Sequence, residues 1–140
     1  MILKIKKLHP DAKVPKYAHK GDAGFDLCST EDVMIKRGER ISIPTGIAME
    51  IPEGHVGLIW DKNGLSVIHG IKTIAGVIDS TYRGEILVAV TNHGEKNYIF
   101  EKGHRVAQML IQKVETAEFV EVGELSITTR GEGRLGSTGK

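Results

Sequence analysis

The run Ile41-Ser42-Ile43-Pro44-Thr45-Gly46-Ile47-Ala48-Met49-Glu50-Ile51 puts Ile41, Ile43, Ile47, Met49 and Ile51 on one parity. Side chains that recur every second residue share one face of a strand, so this run has an apolar face. Pro44 removes a ladder donor and Gly46 admits a bend, which predicts a break between them. Further short strands are expected at Ile2 to Lys6, Val33 to Lys36, His55 to Trp60, Ile86 to Asn92, Tyr98 to Glu101, Val106 to Lys113 and Glu118 to Val122. Turn clusters at Lys36 to Glu39, Pro52 to Gly54, His93 to Lys96 and Lys102-Gly103 separate them. Such punctuation predicts an all-β sandwich, jelly roll or barrel. Only Gly64 to His69 reads as helix, barely more than a turn. The chain shows no internal repeat and no linker. Its 140 residues are expected to form a single domain, long enough to bury a core without staples.

Composition narrows the function. With 19 basic against 18 acidic side chains, nothing suggests a non-specific grip on a nucleic-acid backbone. The one cysteine, Cys28, excludes an internal disulfide framework and cannot make a zinc site alone. The six histidines (His9, His19, His55, His69, His93, His104) show no paired ligand spacing and read as structural or exposed. Met1 to Lys7 alternates apolar and basic residues, unlike a secretory signal, and no apolar run approaches membrane-spanning length. The expectation is a soluble, cytoplasmic protein with no membrane or nucleic-acid partner.

Two segments carry chemistry. Gly76-Val77-Ile78-Asp79-Ser80-Thr81-Tyr82-Arg83-Gly84-Glu85 puts an acid and an aromatic on a tight turn between apolar β-runs. There Asp79 and Tyr82 can face one cleft, an arrangement suited to activating water beside a flat, sugar-bearing substrate. The last eleven residues, Arg130 to Lys140, combine four glycines with Ser137, Thr138, Arg130, Arg134 and Lys140. Converging backbone N–H groups, hydroxyls and cations make an anion cradle, and so apolar-poor a tail is expected to order only over bound phosphate.

Five segments in order resemble the motifs of the homotrimeric dUTP diphosphatase (dUTPase) family. They are Asp22-Ala23-Gly24-Phe25-Asp26-Leu27, Asp61-Lys62-Asn63-Gly64-Leu65-Ser66, the Gly76 to Glu85 turn, Lys102-Gly103-His104-Arg105-Val106-Ala107-Gln108, and the Arg130 to Lys140 tail. The resemblance implies a jelly-roll or distorted β-barrel over residues 1–129, a glycine-rich arm over 130–140, and one short helix. It implies a homotrimer with active sites at subunit interfaces and a swapped arm. The implied reaction cleaves dUTP to dUMP and pyrophosphate with Mg²⁺, which keeps uracil out of DNA and supplies dUMP for dTTP synthesis.

The resemblance also assigns roles. Asp79 is the general base for the water attacking the α-phosphorus, and touches the sugar 3′-hydroxyl. Tyr82 lies under the deoxyribose and leaves no room for a 2′-hydroxyl. Thr73, Val77, Ile78 and Leu87 line the uracil pocket, which reads the base through main-chain groups of a hairpin around the third motif. Lys62, Asn63 and Gly64 stand where the family has Arg-Ser-Gly to bind phosphates, and lysine lacks arginine's bidentate fork. Asp26 and Gln108 hold Mg²⁺ through its waters. Arg130 closes on the γ-phosphate, with Gly136, Ser137 and Thr138 as cradle. Leu135 replaces the phenylalanine that stacks on uracil, and Arg134 replaces a common glycine. Two alternatives stay open at this point: a non-catalytic nucleotide-binding trimer, and a relative of dCTP deaminase, disfavoured because the turn carries Asp79 and Tyr82.

Overall fold

A computed structural model describes residues 1–134, so Leu135, Gly136, Ser137 and Thr138 lie outside the described residues. In chain order the elements are β1 (Lys4–Lys7), β2 (Phe25–Cys28), β3 (Val33–Ile35), β4 (Arg40–Pro44), β5 (Ile47–Glu50), β6 (His55–Trp60), α1 (Asn63–His69), β7 (Ile71–Thr73), β8 (Val77–Ile78), β9 (Leu87–Asn92), β10 (Tyr98–Phe100) and β11 (Arg105–Lys113). The alternating run forms β4 and β5, broken as its proline and glycine require. Gly46 takes φ 66°, a left-handed conformation that glycine adopts without a Cβ penalty.

The strands pair antiparallel in four sheets, ordered β1-β5, β10-β3, β2-β11-β6-β8 and β4-β9-β7. Their inner faces meet in one core containing Leu27, Ile35, Ile43, Ile47, Val88, Val90, Phe100 and Met109. Each such side chain contributes about 1.5–3 kcal/mol by leaving water. The architecture is the expected β-barrel of jelly-roll class with one short helix. That helix runs one residue longer than the expected Gly64 to His69 and ends on Gly70 at φ 69°, a left-handed cap.

Two expectations are corrected. Glu118 to Val122 forms no strand: the last strand ends at Lys113, and residues 114–134 are all exposed. The segment is apolar, with Phe119 94% exposed, but a strand needs a partner ladder and none is offered among the described residues. The third motif is not the tip of a tight hairpin. β7 and β9 pair with each other, Thr73 opposite Val90, while β8 leaves that ribbon to pair with β6. The motif is therefore a corner that carries the chain from one sheet to another.

Candidate active site

One step along three strands separates core from chemistry. Phe25, Met109 and Ile59 are register partners and all buried. The adjacent register row is Asp26, Gln108 and Trp60, and it faces outward. Alternation across the pleat produces this division. A bulge between Arg105 and Ala107 then shifts the register of β11 against β2. The extra residue lets Val106 and Ala107 both enter the core while Arg105 and Gln108 both remain on the Asp26 side.

The Asp26 carboxylate sits between two cations. Lys62 Nζ donates to Oδ1 at 2.7 Å, and Arg105 Nε lies 3.1 Å from Oδ2. Two positive groups on one carboxylate leave the trio net positive, as a polyanion site requires. Asp26, Lys62, Arg105 and Gln108 line a cleft of about 320 Å³ together with Ala18, His19, Asp22, Ala23 and Gly24. Gly24 is needed for this approach: a Cβ there would stand 2.9 Å from Gln108 Oε1. An adjoining cleft shares Asp26 and Arg105 and adds Lys13, Lys16, His104 and Cys28. Burial pushes the Cys28 thiol up, away from the thiolate form.

α1 begins beside this cleft. Lys62 is its N-cap, with extended backbone and no side-chain cap, so its ammonium is free to reach Asp26. Asn63 and Gly64 form the exposed first turn. Asp61, immediately before, accepts the Thr73 N–H and hydroxyl on Oδ1 at 2.7 and 2.6 Å, and Lys72 Nζ on Oδ2 at 2.8 Å. Its carbonyl accepts Gln108 Nε2 at 2.9 Å. Burial works to raise the Asp61 carboxyl, but the hydrogen bonds from Lys72 and Thr73 outweigh it and hold it below its ordinary value.

The third motif is stapled to the barrel at its far end. Glu85 Oε1 accepts the Gly46 N–H at 2.7 Å, Thr45 Oγ1 donates to the Ile86 carbonyl at 2.6 Å, and the Ile86 N–H donates to Ile47. Tyr82 folds back over the turn, its hydroxyl donating to the Glu85 carbonyl at 3.0 Å. Gly84 leaves room for that ring, because a Cβ there would collide with it. Arg83 donates to the carbonyls of Ser80 and Tyr82. Asp79 is exposed on this corner, with its carbonyl accepting the Tyr82 N–H. Val77, Leu87 and Tyr82 are 68%, 47% and 44% exposed, and Ile78 is half-buried.

The structure thus gathers Asp26, Lys62 and Gln108 in one cleft and places Val77, Asp79, Tyr82 and Leu87 on a separate exposed corner. Among the described residues no hydrogen bond joins the two groups. Arg130 lies in the exposed C-terminal segment, where its Nε donates to the Gly133 carbonyl. Sequence reasoning assigned no role to Arg105, Asp61 or Glu85. All three stand inside or beside the motifs, but their partners are far away in the chain and no spacing rule names them.

Comparison with known proteins decides the family. The dUTPase family model matches residues 10–139. The chain belongs to the dUTPase family. A deoxyuridine 5′-triphosphate nucleotidohydrolase of Nautilia profundicola is 51% identical over 142 residues, covering 100% of both chains. The dUTPase of Staphylococcus bacteriophage 80alpha, solved with dUpNHpp, superposes with TM-score 0.94 at 31% identity, covering 99% of each chain. A dUTPase mutant from phage phi11 of S. aureus, solved to show coordination of a structural Mg(II) ion, gives TM-score 0.85 at 27% identity, covering 91% of this chain and 100% of that one. Like other dUTPases, this chain is a hydrolase.

The donor set suits a hydrated divalent cation. No group of three His, Cys, Asp or Glu able to hold a metal occurs among the described residues. Magnesium keeps most of its waters, and those waters donate hydrogen bonds. The Asp26 carboxylate and Gln108 Oε1 are acceptors on one cleft wall, so they fit an ion held through water.

Proposed function

We propose that this chain hydrolyses dUTP to dUMP and pyrophosphate as a homotrimer with Mg²⁺. Family membership across residues 10–139 carries this reading, and the binding of dUpNHpp by the phage 80alpha dUTPase supports the substrate. The split between cleft and corner supports sites built between subunits, the corner of one chain facing the cleft of a neighbour. Residues 114–129 expose Phe119, Val120, Val122, Leu125 and Ile127, apolar surface that another copy would cover.

In this reading Lys62 and Arg105 draw the triphosphate into the cleft, and the first turn of α1 at Asn63 and Gly64 meets its oxygens. Mg²⁺, held through water by Asp26 and Gln108, would offset phosphate charge. Val77, Ile78 and Leu87 form the base wall. Tyr82 supports the sugar, with its ring fixed by the hydroxyl bond to Glu85. Asp79, free of side-chain partners among the described residues, takes the proton of the attacking water. Residues 1–129 are the body and 130–140 the arm, whose Arg130, Leu135, Gly136, Ser137 and Thr138 close over the nucleotide and exclude bulk water.

Pyrophosphate release from dUTP and Mg²⁺, compared with UTP and dCTP, tests the reading. Release from dUTP alone is expected, and a folded, assembled chain that releases none overturns it. Truncation after Thr129 is expected to remove most turnover while the trimer persists by light scattering. Undiminished turnover would take the arm out of the mechanism.

A further inference from the structure

We propose that Asp61 is a positioning residue that sets the base wall against the phosphate-binding residues, an inference that rests on the function proposed above. Its side chain is mostly buried, at 18% exposure, and its bonds run in two directions. The carboxylate holds both donors of Thr73, at the end of β7, and Lys72 Nζ. The main-chain carbonyl holds Gln108 Nε2, and the next residue is Lys62. Among the described residues no other side chain hydrogen-bonds Thr73 while its own carbonyl holds Gln108.

Thr73 changes role in consequence. Its N–H and hydroxyl are both spent on Asp61, so neither donor is available to a base. Its part is to hang the following loop. That loop, Ile74 to Gly76, is held at three points: by Asp61 at Thr73, by the Ile74 N–H donating to the Ala89 carbonyl at 2.9 Å, and by the Ile59 N–H donating to the Gly76 carbonyl at 2.8 Å. Between the pins Ala75 takes φ 62°, the one positive φ outside glycine among the described residues. A strained backbone of this kind persists only where its surroundings impose it. Releasing the Thr73 pin leaves the loop held only at Ile74 and Gly76, which loosens Ala75 and lets β8, which carries Val77 and Ile78, shift. In the proposed trimer the base wall and phosphate residues of one chain serve different sites, so Asp61 adjusts both.

Three variants of the full-length assembled chain test this: Asp61→Ala, Asp61→Asn and Thr73→Val. Amide hydrogen exchange is read at Thr73, and KM, kcat and the dUTP-over-dCTP preference are read by pyrophosphate release. Asp61→Ala is expected to speed Thr73 exchange about tenfold, raise KM for dUTP about tenfold and lower the base preference, with kcat far less affected. Asp61→Asn keeps an acceptor oxygen for Thr73 and stays close to the parent. Thr73→Val keeps the N–H bond and falls between. A residue that merely stabilises the fold would lower the melting temperature of Asp61→Ala and leave KM and preference unmoved, which overturns the proposal. If the parent chain itself hydrolyses no dUTP, the functional reading falls separately. Unchanged Thr73 exchange in Asp61→Ala would then still sink the positioning role.

Discussion

At Asp26 both carboxylate oxygens are taken by cations of the same chain. At Asp79 no side chain among the described residues reaches the carboxylate, which stands exposed on its corner. The first group is built on the paired strands β2 and β11 with Lys62 at the N-cap of α1, so most of its geometry is that of the sheet. The second sits on a loop whose far end is stapled through Glu85 and Ile86, and the Asp79 side chain has no partner there among the described residues. A charge already satisfied suits the holding of phosphates, where position matters most. An unsatisfied carboxylate on an exposed turn suits proton transfer, since nothing competes for its oxygens.

Three substitutions break or sharpen that contrast. Asp79→Asn should cost the most, ~10²–10⁴-fold in kcat, with dUpNHpp binding and melting temperature preserved because its side chain makes no hydrogen bond among the described residues and the main-chain bond to Tyr82 is kept. A matching loss of binding would place Asp79 in substrate capture instead. Tyr82→Ala should come next, raising UTP turnover relative to dUTP roughly tenfold by opening space at the 2′ position. An unmoved ratio would remove the ring from the sugar site.

Asp61→Asn should have the smallest effect, seen in acid unfolding. Asp61 titrates lower in the folded chain than in the unfolded one. Its stabilisation is therefore full above the ordinary value of 3.8 and fades as pH falls through that value toward the lower folded one. The asparagine variant, lacking this titration, should lose stability less steeply below about pH 4, moving the unfolding midpoint by a fraction of a pH unit. Identical acid profiles would mean that the carboxylate has no titration-linked part in the fold.

Much of the barrel was legible because alternation reports burial directly. Ile41 to Ile51 buried Ile43, Ile47, Met49 and Ile51 on the parity that the pattern predicted, with Ile41 half-buried, and His55 to Trp60 and Val106 to Lys113 formed strands where strands were expected. β2 and β7 were harder to see: Phe25-Asp26-Leu27-Cys28 and Ile71-Lys72-Thr73 are too short for a period to declare itself. Glu118 to Val122 failed for a different reason: its β-favouring residues have no partner strand among the described residues. The candidate residues were named through motifs, which supply identity without position. The bulge that turns Arg105 toward Asp26 depends on cross-strand register, and no local window contains it. The same holds for Asp61 with Thr73 and for Glu85 with Gly46, where the bond joins segments well apart in the chain.

Gly46 carries a consequence for anyone redesigning the corner. Its carbonyl receives the N–H groups of Leu8 and His9, its N–H meets Glu85, and a methyl group there would fall within 2.9 Å of Thr30, His9 and Ala12. Three stretches of chain converge on a hydrogen atom where any other residue would put carbon. Libraries that randomise positions 79 to 84 will thus vary the chemistry of the loop while its anchorage stays where it is. Moving the loop itself means editing the interior.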